Sequence, residues 1–263
     1  MEKKTRNIVL IILLSILWGG LNAQEGYLVR NIKFKGNKKF SENTLLEQTY
    51  LYEINLFEKY ILREKHFRYS QELVNSAIED ITQFYQRHGF LYAKVSRGEL
   101  RIDHRKREIK KLNIIIDEGP AIETGKIRYK IDYNAGNDSR EIGSIIKDIK
   151  KNTKLHPQTR FTDEEFEKDR ELIIDSFKEK GYFYVDAAYD LQINKDSNIV
   201  NIIWQIEPGP EYVFGQTTVK GNEHVSTDFI LRQLAYKQGY TFKEKLIQNT
   251  EQNIYDLGLF RVV

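Results

Sequence analysis

Apolar residues recur with a 3.6-residue period through Leu73, Val74, Ala77, Ile78, Ile81, Phe84 and Tyr85, while Asn75, Glu79, Thr82 and Gln86 fall on the opposite face. That spacing predicts an amphipathic helix. It stops at Gly89, and the period then drops to 2 in Phe90-Leu91-Tyr92-Ala93-Lys94-Val95, the mark of a strand with one buried face. The same joint returns at Gly181, followed by Tyr182-Phe183-Tyr184-Val185, and at Gly258, followed by Leu259-Phe260-Arg261-Val262. In the second copy Phe166, Arg170, Ile173, Ile174 and Phe177 hold the helix face, and Thr162 with Glu165 fits a capping box. In the third, Phe242, Leu246, Ile247, Ile254 and Leu257 do so. A joint repeated at this interval predicts an array of small units rather than one large core.

The flanking patterns complete the unit. An opening strand from Val29 to Lys35 places Ile32 and Phe34 on one side and Lys33 and Lys35 on the other, then turns at Gly36-Asn37 toward a helix that Ser41 can cap. Gly221-Asn222 and Ser226 repeat that string, whereas Tyr133 to Ser139 reads as a looser turn, so the middle unit's first helix is the weakest element in the pattern. Residues Tyr50 to Tyr69 read as a longer connection peculiar to the first unit. Closing strands follow at Leu112 to Ile116, ending on Gly119-Pro120, and at Ile199 to Ile206, ending on Gly209-Pro210. Each full unit is therefore strand, helix, helix, strand, strand. The fold class is α+β, with tandem β-α-α-β-β domains, each a three-stranded sheet carrying two helices on one face. The expected domains are 24–120, 121–210 and 211–263, the last without its closing hairpin. Val219, Leu246 and Ile254 should then be under-covered. Turn glycines are expected at Gly36, Gly89, Gly119, Gly181, Gly209, Gly221 and Gly258.

Face assignments run in parallel between copies. Leu91, Ala93 and Val95 should face the helices, with Tyr92, Lys94 and Ser96 outward. In the second copy Phe183, Val185, Ala187 and Tyr189 fall inward, and Tyr184, Asp186, Ala188 and Asp190 outward.

Composition changes little in this picture except at the start. Lys3, Lys4 and Arg6 precede an apolar run from Ile8 to Trp18, and Leu21-Asn22-Ala23 ends in a small residue, the order of a signal peptide spanning 1–23. The apolar run is shorter than the roughly 20 residues a bilayer requires. A formal net charge of +3 with interleaved acids and bases gives no basic stripe, so nucleic acid is not an expected partner. With no cysteine, neither disulfides nor a lipid-bearing cysteine can contribute.

Catalytic patterns are missing. His66, His88, His104, His156 and His224 are scattered without ligand spacing, and Asp163-Glu164-Glu165 fits the first turn of a helix better than an acid–base group. Neither Gly119-Pro120 nor Gly209-Pro210 sits in a phosphate-binding context. No enzyme activity, metal, cofactor or small-molecule substrate is expected.

The ordered set of Gly36-Asn37 and Gly221-Asn222 strings, Gly89-Phe90-Leu91-Tyr92-Ala93, Gly181-Tyr182-Phe183-Tyr184-Val185 and Leu257-Gly258-Leu259-Phe260 resembles the POTRA (polypeptide-transport-associated) domain. Tandem copies behind a signal peptide look like the periplasmic arm of the BamA/TamA family of outer-membrane protein assembly factors. The resemblance implies an exported protein at the periplasmic face of the outer membrane. Its partners would be unfolded outer-membrane proteins or accessory assembly proteins, and a membrane barrel would follow in the intact protein. It further implies that extended chains add to an exposed edge, here Leu91, Tyr92, Ala93, Lys94, Val95, Ser96 and Arg97, and Phe183, Tyr184, Val185, Asp186, Ala187, Ala188 and Tyr189. A two-partner secretion transporter and a cell-division scaffold are the rival settings for such domains. No barrel pattern follows the third unit, so the sequence reads as a fragment or a truncated gene.

Overall fold

The computed structural model describes residues 27–49, 51, 67–133 and 136–259. The leader expected at 1–23, most of the connection between Tyr50 and Tyr69, and Phe260 to Val263 lie outside the described residues. The chain divides into two compact units, one of residues up to Gln86 with Tyr92–Gly119, the other of Arg87–Leu91 with Pro120 onward.

In the first unit, β1 (Leu28–Val29), β2 (Ile32–Lys35), α1 (Glu42–Glu47), β3 (Phe67–Arg68), α2 (Gln71–Arg87), β4 (Lys94–Asp103) and β5 (Glu108–Asp117) follow in order. Central β5 pairs antiparallel with β4 and parallel with β1 and β2. Leu112, Ile114 and Ile116 of β5 are buried together with Ile32 and Phe34 under Val74, Ala77, Ile81 and Tyr85 of α2, as the two periodicities require. Ser41 caps α1 by accepting from the Thr44 N–H at 3.1 Å. Tyr85 is fully buried, and its hydroxyl donates to Glu118 at 2.9 Å while the same carboxylate oxygen accepts from the Lys39 N–H at 2.8 Å. Burial pushes the Tyr85 phenol well above its usual range.

Two expectations need correction here. The opening strand breaks at Arg30-Asn31, although Arg30 N–H still donates to Ile109 and Asn31 still accepts from Leu112, both at 2.9 Å, so the register survives the break. The sheet also gains β3, which pairs with β1 and covers part of that edge.

The second unit contains β6 (Glu123–Ile131), α3 (Ser139–Asn152), α4 (Asp163–Lys178), β7 (Asp186–Asn194), β8 (Ile199–Glu207), α5 (Thr227–Leu231) and α6 (Glu244–Tyr255). Its sheet has the order β6-β8-β7. Ile202, Trp204 and Ile206 are buried on the helix side, where Trp204 stacks on Phe166 of α4 at 4.8 Å between ring centroids. Far from being weak, α3 is a full helix: Asp138 caps it, and Ile142, Ile145 and Ile149 are its buried stripe. Thr162 caps α4 by accepting from the Glu165 N–H at 3.2 Å, with its hydroxyl donating to the Glu165 carboxylate at 3.1 Å.

Beyond Pro210 the described residues form α5, α6 and one isolated bridge, Val213 to Thr241, with no sheet among them. Phe214, Ile230 and Thr250 are buried there, while Val219, Leu246 and Ile254 stay half-buried.

Candidate functional site

All seven turn glycines adopt positive φ, from +64° to +92°. Those that close α2 and α4 bring the chain back along the sheet as β4 and β7. Each of these strands pairs on one side only among the described residues, β4 with β5 and β7 with β8. They are the two candidate edges. Strand pairing begins later than the alternation indicated. Leu91, Tyr92 and Ala93 precede β4, and Phe183, Tyr184 and Val185 precede β7, in turns where Phe90, Ala93 and Tyr182 are buried. Lys94, Val95, Ser96 and Arg97 lie in β4, and Asp186, Ala187, Ala188 and Tyr189 in β7. Both strands run on to Asp103 and Asn194, residues the edge assignment omitted although Leu191 and Ile193 continue the same alternation.

Backbone polarity follows from a single hydrogen bond. The Asp132 N–H donates to the Ile206 carbonyl at 2.9 Å, so the polar groups of Ile206 face β6. Within a strand the N–H and C=O of one residue point to the same side. Ala187, directly opposite Ile206, therefore turns its own groups away from β8 and off the sheet. Every second residue does likewise, which makes Ala187, Tyr189, Leu191 and Ile193 the row of edge donors and acceptors. Arg170 of α4 confirms the direction, its Nε donating to the Ala187 carbonyl at 3.2 Å. Side chains of the same row point toward the helices. Tyr189 packs edge-on against Phe166 at 4.8 Å yet remains 46% exposed, as does Ile193, leaving apolar surface beside the open edge.

In β4 the Leu112 N–H donates to Asn31, which fixes Val95, Arg97 and Leu100 as edge-facing positions, and the Ile109 carbonyl accepts from Arg30, which fixes Ile102. Register shifts between Arg97 and Leu100 and between Arg101 and Ile102 break that row. By contrast, β7 pairs with β8 over its full length without a shift. The outer edge of the second sheet, β6, has a bridge at Glu123 to Arg160 and carries Lys126, Arg128 and Lys130 on its outward face, the charged dressing that keeps an edge from pairing.

Among the described residues no group of three or more His, Asp or Glu side chains could hold a metal, and no helix is long and apolar enough to cross a membrane.

A family profile described as "POTRA: Surface antigen variable number repeat" matches residues 27–119, 147–209 and 212–263. The chain is 19% identical over 232 residues to the outer membrane protein assembly factor BamA of Neisseria meningitidis serogroup B, covering 88% of this chain. It spans 28% of the length of that relative. Among solved structures, a three-domain POTRA3-5 fragment of Haemophilus influenzae BamA is 17% identical, covering 93% of this chain and 91% of its own, with a TM-score of 0.46. POTRA1-3 of the periplasmic domain of Omp85 from Anabaena is 17% identical, covering 69% of this chain and 66% of its own, with a TM-score of 0.30.

Proposed function

The chain belongs to the POTRA family, and on that premise we propose that it is the substrate-docking arm of an outer-membrane protein assembly factor, working at the periplasmic face of the outer membrane. Its repeats are taken as 24–120, 121–210 and 211–263. The arm receives extended polypeptides, either unfolded outer-membrane proteins or accessory assembly proteins, by strand addition, and has no catalytic role.

The observation that carries this reading is the row at Ala187, Tyr189, Leu191 and Ile193, whose backbone donors and acceptors face away from β8. An edge of this kind pairs with any extended chain through main-chain hydrogen bonds and leaves side-chain demands loose, which suits a protein that handles many clients. The exposed flanks of Tyr189 and Ile193 add apolar surface for alternate client side chains.

Proline at Leu191 tests the proposal. Leu191 directs its N–H off the sheet, so Leu191→Pro removes an edge donor and spares the pairing with β8. In a folded Leu191→Pro variant, site-specific crosslinking from Gln192 to unfolded outer-membrane proteins should fall sharply. Undiminished crosslinking would contradict strand addition at this edge.

A further inference from the structure

The two open edges are not equivalent. Facing outward on β7, Asp186 and Asp190 lie on the sheet surface away from the helices, and Asp186 stands directly opposite Glu207 of β8. Like charges directly opposite in a ladder destabilise it, and among the described residues no salt bridge neutralises either. Asp132 joins Asp186 and Glu207 along a groove of about 350 Å³ whose one basic lining residue is Lys130, while Asp190, farther along the strand, accepts from the Gln192 amide at 2.9 Å. On β4 like charges also stand opposite, Arg101 to Lys111 and Asp103 to Glu108, but there salt bridges compensate them, Asp103 pairing with Lys110 at 2.9 Å. Lys94 stands opposite Asp117, and Arg101 pairs with Glu99 at 3.0 Å.

Resting on the docking role proposed above, we infer that β7, rather than β4, receives the incoming chain, and that it selects strands carrying Lys or Arg at positions facing Asp186 and Asp190. Three features combine. Unbroken register gives β7 a full row of edge groups, while the bulges of β4 twist and interrupt its own. In an antiparallel complex Tyr189 and Leu191 would form the hydrogen-bonded pairs, so Asp186 and Asp190 would sit in the non-hydrogen-bonded positions, where facing side chains come closest. Finally, the backbone of basic β6 lies three strand spacings from an added strand, about 14 Å, beyond the distance at which physiological salt screens most of the interaction. On the face of Asp186 and Asp190 the incoming strand therefore meets a local carboxylate field, Arg170 reaching the edge from the helix side, with apolar residues favoured on the other face against Tyr189 and Ile193.

The test uses the isotope-labelled chain and two peptides of alternating Thr and Val, identical except for Lys or Glu at two positions four residues apart. Amide shifts at Tyr189, Leu191 and Ile193 report β7, and those at Val95, Arg97 and Leu100 report β4. The Lys peptide should move the β7 row and bind about fivefold or more tightly than the Glu peptide. That contrast should shrink as salt is raised and disappear in the Asp186→Asn/Asp190→Asn variant. Equal binding of both peptides at β7, or a response confined to β4, overturns the selectivity inference and leaves strand addition standing. No response in either row with either peptide overturns both.

Discussion

The carbonyl of Gly181 accepts the N–H of Tyr212 at 2.9 Å, and the Tyr212 carbonyl in turn accepts from Phe242 at 2.8 Å. The same relay links Gly89, Ile122 and Phe161 at 2.7 and 2.9 Å. A Cβ on Gly89 would lie 2.2 Å from the Phe161 carbonyl oxygen, and one on Gly181 would lie 2.9 Å from that of Tyr212 and 2.8 Å from Thr241. These glycines thus do two things: they end a helix with positive φ, and they let the next stretch of backbone approach. Phe183 against Phe242 at 5.0 Å and the Lys243 to Glu179 ion pair at 2.7 Å close the second joint.

Gly181→Ala should therefore cost more than Gly258→Ala. Both lose about 1 kcal/mol to the left-handed backbone. Only Gly181 also meets a neighbouring backbone, Gly258 having nothing within 4 Å among the described residues. Hydrogen exchange should show faster exchange at Tyr212 and Phe242 in Gly181→Ala and no change there in Gly258→Ala. Equal effects would reduce the role of Gly181 to helix termination.

Arg170 occupies the first acceptor of the β7 edge, the Ala187 carbonyl. An incoming strand has to displace it to use that carbonyl. Arg170→Met keeps an apolar stem against the sheet and opens the acceptor, so calorimetric titration with the Lys-bearing peptide should show binding tighter by up to about tenfold. Unchanged or weaker binding would mean that Arg170 does not compete with the client.

Asp169 gives the second unit a pH signature. It is 1% exposed and accepts from the N–H groups of Lys154 and Leu155 at 2.5 and 3.0 Å. Burial outweighs these bonds and pushes its carboxyl above the ordinary aspartate range. The folded state then holds this proton more tightly than the unfolded chain. Its contribution to stability is full below the unfolded pKa and is lost as pH rises through the raised folded value. Asp169→Asn cannot titrate. Urea denaturation of both proteins from acid to neutral pH should show wild-type stability falling relative to the variant across that window, and a constant difference would contradict the assignment.

Much of this architecture was legible because one-sided burial imprints a period. Ile32 and Phe34, Leu112 to Ile116, and Ile202 to Ile206 alternate as the sheets require, and Ser41, Thr162 and Ser226 cap helices as their positions implied. The starts of β4 and β7 were misplaced because Phe90, Ala93 and Tyr182 bury themselves in turns, which mimics a strand without a ladder. Two-residue β3 carries no periodic signal at all. Nor does a sequence reveal which backbone groups face an edge: that depends on pairing across β8, and only the Asp132 to Ile206 bond sets it. The bulges that distinguish β4 from β7 are invisible for the same reason.

Amide exchange along β7, with and without an extended client peptide, tests strand addition most directly. Ala188, Asp190 and Gln192 already bond across to β8, so binding should leave them unchanged while Tyr189, Leu191 and Ile193 become slow to exchange. Saturating peptide that leaves those three amides as fast as in the free chain would contradict the account.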